Sequence, residues 1–138
     1  MLNDPQSVKQ FLAGRHAEIA DAHRNGATGF ATCTALTAVT DEAIHSIFRM
    51  IPDGLRDHVA ILALGGYGRG ELCPHSDVDV MVLCPVGASR ESANETAKLF
   101  LRLLWDAGLI VGHSVRTIDE ALQTIGSAID SWASMLES

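Results

Sequence analysis

No apolar run in this chain approaches the roughly 20 residues that a membrane-spanning helix needs. Its first residues, M-L-N-D-P-Q-S, lack a basic region followed by an apolar core, so no secretory signal is legible there. Basic runs are missing too: the ten Lys and Arg are scattered, and the net charge is −7 with a sequence pI near 5.2. That weighs against a grip on long nucleic acid, which rests on clustered cations. A small anionic substrate arriving with a divalent cation fits an acidic surface. The cysteines are few, Cys33, Cys73 and Cys84, odd in number and without a paired metal spacing. Reduced thiols in a cytoplasmic protein are the simplest reading. Internal repeats, low-complexity tracts and linkers are likewise absent.

What is present is one domain's worth of chain: 138 residues, 47% hydrophobic and 20% charged, enough for a modest core. Val8, Phe11, Leu12, Ile19 and Ala22 recur at helical spacing, predicting a helix over Ser7–Arg24, started by Asp4-Pro5 and ended by Asn25-Gly26. A second helix is expected from Phe30 to Ile51, with Leu36, Val39, Ala43, Ile47 and Ile51 on one face and a stop at Pro52-Asp53-Gly54. His16, His23 and His45 on these helices read as surface or packing residues.

Val59–Leu64 reads as a buried strand and Asp77–Leu83 as its partner. Ser89–Ala107 is the strongest helical pattern. Ser92 with Glu95 suggests a capping box, Ala97, Phe100, Leu101, Leu104 and Trp105 form the stripe, and Gly108 is the stop. Ile110–Thr117 is a third strand, with Val111, His113 and Val115 on one face and Ser114 and Arg116 on the other. Ile118–Ser138 is expected to be helical with a break near Gly126. Its last residues keep that rhythm without a cap, which suggests a piece of a longer protein. The expected fold is α/β or α+β, with a small mixed sheet of at least three strands flanked by helices. Residues 1–54 would form a helical segment ahead of a core over 55–138.

Between the first two strands lie Gly65, Gly66, Gly68 and Gly70, followed by Asp77 and Asp79. Glycines at a strand end let backbone N–H groups approach a phosphate. Two carboxylates two positions apart on one strand face the same way and repel unless a cation neutralises them. Mg²⁺ prefers carboxylate and phosphate oxygens, so the pattern suits a metal–nucleotide site. It is not a P-loop, since no Lys followed by Ser or Thr closes it. Nor is it a dinucleotide fingerprint, since Glu71 stands where the last glycine belongs. Glycines in a wide turn, with aspartates capping the next element, is the plain structural alternative.

The segment G-G-Y-G-R-G-E-L-C-P-H-S-D-V-D-V, Gly65 to Val80, resembles the signature of the polymerase-beta-type nucleotidyltransferases. Within that superfamily it is most similar to the N-terminal catalytic domain of PII-protein uridylyltransferases. L-L-W-D-A-G-L-I-V-G-H-S-V-R-T, Leu103 to Thr117, supports the narrower likeness, which covers Ile44 to the C-terminus. The resemblance implies a nucleotidyltransferase fold in which Gly65 and Gly66 hold the triphosphate. It makes Asp77 and Asp79 the catalytic, Mg²⁺-binding pair and places Arg69 and Ser76 as phosphate neighbours. It further implies UTP as donor and a tyrosine of the PII nitrogen regulator as acceptor. The family pattern adds a third carboxylate from a later strand. Here Ile110–Thr117 offers His113 and Ser114, and Asp106, Asp119, Glu120 and Asp130 lie only nearby. A nucleotide-binding regulatory module without catalysis, or a transferase with another acceptor, are the alternative readings.

Overall fold

The computed structural model describes residues 2–74, 77–85, 87 and 90–127, with the backbone alone for 124–127. The chain opens with α1 (Pro5–Arg24), whose start is set by Asp4. The Asp4 carboxylate accepts from Ser7 N–H at 2.7 Å, Ser7 reaches back to the Asp4 N–H, and Pro5 occupies the first turn. Thr28 caps α2 (Gly29–Arg49) in the same way, accepting from Ala31 N–H at 3.0 Å. The proline–glycine stop after α2 is a further helical turn, α3 (Asp53–Arg56). It leads into β1 (Ala60–Leu64), and the glycine segment itself begins with a turn of helix, α4 (Gly65–Gly68), which periodicity does not reveal. Then come β2 (Val78–Cys84), α5 (Arg90–Asp106), β3 (Val111–Thr117) and α6 (Ile118–Ser127).

The sheet is mixed, in the order β1-β2-β3: β1 runs antiparallel to β2, and β3 parallel to it. The parallel pairing requires a crossover, which α5 supplies. The mixed α/β class read from the sequence therefore holds. One face of the sheet carries Ile61, Ala63, Val80, Val82 and Val111 into a core shared with α1, α2 and α5, centred on Val8, Ile47, Phe100 and Leu104. Phe48 of α2 meets Phe100 of α5 edge-on at 5.9 Å and 86°, a contact worth about 0.5–1.5 kcal/mol beyond its buried area.

Three local expectations are corrected. Ser92 is not a cap, because α5 already begins by Arg90; its carbonyl accepts from Thr96 Oγ1 inside the helix. Trp105 is 56% exposed, since it falls at the flank of the stripe that buries Phe100 and Leu104. Ile110 precedes its strand and is 87% exposed. Helix α6 continues through Gly126 to Ser127, and the residues expected to prolong it lie outside those described. Among the described residues no helix is long and apolar enough to cross a membrane.

Candidate active site

The second face of the sheet carries the acids. Asp79 pairs with Leu64 on β1 and with Gly112 on β3, and Asp77 stands one residue ahead of β2. Residues in register share a face, so Asp79, Met81 and Leu83 look the same way as Leu64 and Leu62 and as Gly112, Ser114 and Arg116. Asp79 is half-buried and Asp77 exposed.

The Asp79 carboxylate is seated between two glycines. A Cβ placed on Gly112 would collide with Asp79 Oδ1, with Cγ only 3.4 Å away. A Cβ on Gly65 would lie 3.9 Å from Oδ2. Gly112 is thus required for the close approach, and Gly65 for its backbone, whose φ of +57° strains any other residue. Sequence reasoning missed Gly112. Its only signal is a glycine within a strand, which marks close passage of another group.

The glycine segment folds back on itself. Arg69 N–H donates to the Gly65 carbonyl at 3.0 Å, and Glu71 N–H to the Gly66 carbonyl at 2.8 Å. Arg69 lies beside Glu71, Nε to Oε2 3.2 Å, on the exposed surface of the segment. Ser76 lies outside the described residues.

Three contacts moor this segment to α2. The Tyr67 hydroxyl donates to Asp41 Oδ1 at 2.6 Å, Leu72 N–H donates to Thr37 Oγ1 at 3.0 Å, and Cys73 Sγ sits 3.2 Å from Cys33 Sγ. The Thr37 hydroxyl in turn donates a hydrogen bond to the Cys33 carbonyl at 2.8 Å. Cys33, Thr37 and Asp41 are spaced i, i+4, i+8, one stripe along a helix. Burial, and then the hydrogen bond and charge of Asp41, push the Tyr67 hydroxyl well above its ordinary pKa.

His113 pairs with Val80, so it lies on the face opposite Asp79, where it is exposed. It is therefore not a member of the acid site. On the acid face β3 brings Gly112, Ser114 and Arg116 and no carboxylate. Of the nearby acids, Asp106 and Asp119 are exposed at helix ends, Glu120 is engaged by Arg90, and Asp130 lies outside the described residues. His16 and His23, with Thr32, Leu36, Leu72, Cys73 and Val78, line a cavity of about 550 Å³ between α1, α2 and the end of the glycine segment. The register places Val78 on the face away from Asp79, so this cavity is behind the acids.

The donor set fits a hard divalent cation. The half-buried Asp79 carboxylate between Gly65 and Gly112 and the exposed Asp77 offer hard oxygen donors, with no thiol or imidazole on the Asp79 face of the three strands. Among the described residues no three His, Cys, Asp or Glu side chains cluster as a closed metal cage.

The chain is similar over most of its length to known proteins. The chain is 37% identical over 132 residues to the bifunctional uridylyltransferase/uridylyl-removing enzyme of Chromobacterium violaceum, a match covering 96% of this chain and 15% of that protein. It is 41% identical over 103 residues to the proteins of the same description from Burkholderia mallei and Burkholderia thailandensis, covering 75% of this chain and 12% of each. The chain therefore spans only about an eighth to a seventh of the length of these relatives. No solved structure gives a significant match. Residues 50–131, which hold the glycine segment, both aspartates and Gly112, match the family described as nucleotidyltransferase domain, and the chain belongs to that family.

Proposed function

We propose that this chain is the Mg²⁺-dependent catalytic domain of a cytoplasmic transferase that moves UMP from UTP to a protein hydroxyl, a tyrosine of a PII-type nitrogen regulator. The observation that carries the reading is the seat of Asp79 between Gly65 and Gly112, with Asp77 two residues ahead. The similarity to uridylyltransferases in three bacteria supports the donor, and the acceptor class follows from the resemblance of Gly65–Val80 and Leu103–Thr117 to PII-protein uridylyltransferases.

In this reading the backbone of Gly65 and Gly66 lies along the triphosphate, with no side chain between it and the phosphate oxygens. Arg69, turned outward beside Glu71, and Ser76 meet the outer phosphates. Asp77 and Asp79 would hold a Mg²⁺ ion, which would supply positive charge to offset the negative charge of the phosphates. The fixed seat of Asp79 orients its carboxylate before substrate arrives, so little reorganisation is needed in the transition state. The acceptor hydroxyl gives up its proton to solvent, and its oxygen bonds to the α-phosphorus as the bond to pyrophosphate breaks.

A second reading, nucleotide binding without transfer, is favoured by one observation: the acid face of β3 brings no third carboxylate. Titration with UTP, ATP, CTP and GTP, with and without Mg²⁺, followed by label transfer to a PII-type protein, separates the two. Metal-dependent UTP binding with transfer is expected. Binding without transfer supports the module, and preference for ATP points to an adenylyl-transferring relative. Failure to bind any nucleotide would overturn both.

A further inference from the structure

Cys33 and Cys73 are 40 positions apart in sequence, yet their sulfurs lie 3.2 Å from each other, both as thiols rather than a disulfide. Cys33 is on α2, half-buried, and Cys73 is exposed at the end of the glycine segment, four residues before Asp77. The backbones on both sides are already held, since Leu72 N–H bonds to Thr37 Oγ1 and Thr37 Oγ1 bonds to the Cys33 carbonyl. A disulfide needs the sulfurs at about 2.05 Å, so closing the pair takes an approach of roughly 1 Å between segments already docked. Two thiols are too few for a metal centre, and no third His, Cys, Asp or Glu joins them among the described residues.

We propose that Cys33 and Cys73 are an oxidation site, a dithiol that closes to an intramolecular disulfide at the expense of a small disulfide such as oxidised glutathione, stapling the glycine segment to α2. The site rests on no assumption about nucleotidyl transfer.

The order of events follows from exposure. As a thiolate, the accessible Cys73 sulfur attacks one sulfur of the small disulfide, forming a mixed disulfide and releasing one glutathione thiolate. The Cys33 sulfur, having lost its proton to solvent, attacks the Cys73 sulfur and displaces the second glutathione. The two cysteine thiols are oxidised, one disulfide is reduced to two thiols, and the two protons end on the released glutathiones. The contact with Cys73, then desolvation, then the negative charges of Cys73 and Glu71 hold the Cys33 thiol above its usual pKa, which leaves less of it as thiolate and makes it the later of the two to attack. Cys84, buried on β2, is shielded from both steps and serves as an internal reference.

The test uses the full chain, reduced, then equilibrated with oxidised glutathione, alkylated and digested. A peptide linked through Cys33 and Cys73, two hydrogens lighter than its parts, is expected, with Cys84 alkylated only after unfolding. Cys33→Ser should leave glutathione standing on Cys73, and Cys73→Ser should yield no internal bond. Oxidised protein should melt on the order of 10 °C higher than reduced protein, reversibly with dithiothreitol, and neither serine variant should show the rise. Glutathione accumulating on Cys73 of the unsubstituted chain without ring closure would overturn the proposal, as would an untouched pair under conditions that oxidise exposed model thiols.

Discussion

The carboxylate of Asp79 lies across the Cα of Gly112 on the neighbouring strand, in the space a side chain at 112 would occupy. The relationship is directional. Gly112 has no chemistry of its own, yet it decides where an oxygen of Asp79 can be.

Gly112→Ala should therefore act on transfer far more than on folding. The new methyl displaces a half-exposed carboxylate that can turn away, so the stability cost is about 1 kcal/mol. A displacement of about 1 Å at a reacting centre can cost on the order of 100-fold in rate. Steady-state transfer assays beside urea denaturation would check the split; unchanged transfer would show that the seat of Asp79 is immaterial.

Asp79→Asn and Asp77→Asn should each remove metal-dependent transfer, by about 10²–10³-fold or more, as expected when a charge-stabilising group is lost. Both positions are at least partly exposed, so the variants should fold with melting temperatures close to the parent. Binding of Mn²⁺, followed by its paramagnetic resonance signal, should weaken in both. Full transfer in either variant would sink the assignment.

Tyr67 makes folding sensitive to alkali. It is the only tyrosine, is 6% exposed, and keeps its proton in the folded protein above the point where an unfolded tyrosine, near pH 10, has lost it. Its contribution is thus fully present below about pH 10 and is lost as pH rises toward the folded pKa. The slope is roughly 1.4 kcal/mol per pH unit for one proton. Unfolding free energies measured above pH 10 should fall one proton less steeply in Tyr67→Phe. Tyrosinate absorbance of the parent should appear only as the protein unfolds.

Thr37→Val keeps the shape of α2 but strips the acceptor from Leu72 N–H. Leaving that donor unsatisfied costs about 1–3 kcal/mol, whereas Thr37→Ser should cost less because the oxygen is retained. Nucleotide affinity should follow the same order, if the segment between Gly65 and Cys73 binds it. Isothermal titration and thermal melts on the two variants check both.

Most of the architecture was legible in the sequence because it is written in local spacing. Val8 and Leu12, Val39, Ala43 and Ile47, and Ala97, Phe100 and Leu104 mark helix faces at the right period, and all are buried. Asp4-Pro5 starts its helix where capping rules place it. Errors arose where a local signal had two meanings. Ser92 with Glu95 has the spacing of a cap but sits within a helix that begins earlier. Trp105 has the spacing of a stripe residue, yet at about 100° per residue it lies roughly 90° from the centre of the buried face. The acids and the glycine pair could be found because they are close together in the chain. Gly112, Asp41, Thr37 and the Cys33–Cys73 contact could not, since each acquires its role only when segments tens of residues apart are brought together. The face of His113 needed the strand register.

The stripe of Cys33, Thr37 and Asp41 has a consequence for how the molecule reports on itself. Turning α2 by one residue, about 100°, would release all three moorings at once, so the helix indexes the glycine segment as a key indexes a lock. Positions so indexed share their free energy. An occupant that favours the docked segment favours the docked α2 as well, and undocking α2 weakens that occupant, because the coupling between the two is reciprocal. Amide exchange along residues 33–41 is then a gauge of what sits some thirty residues further along the chain, readable without touching the acids.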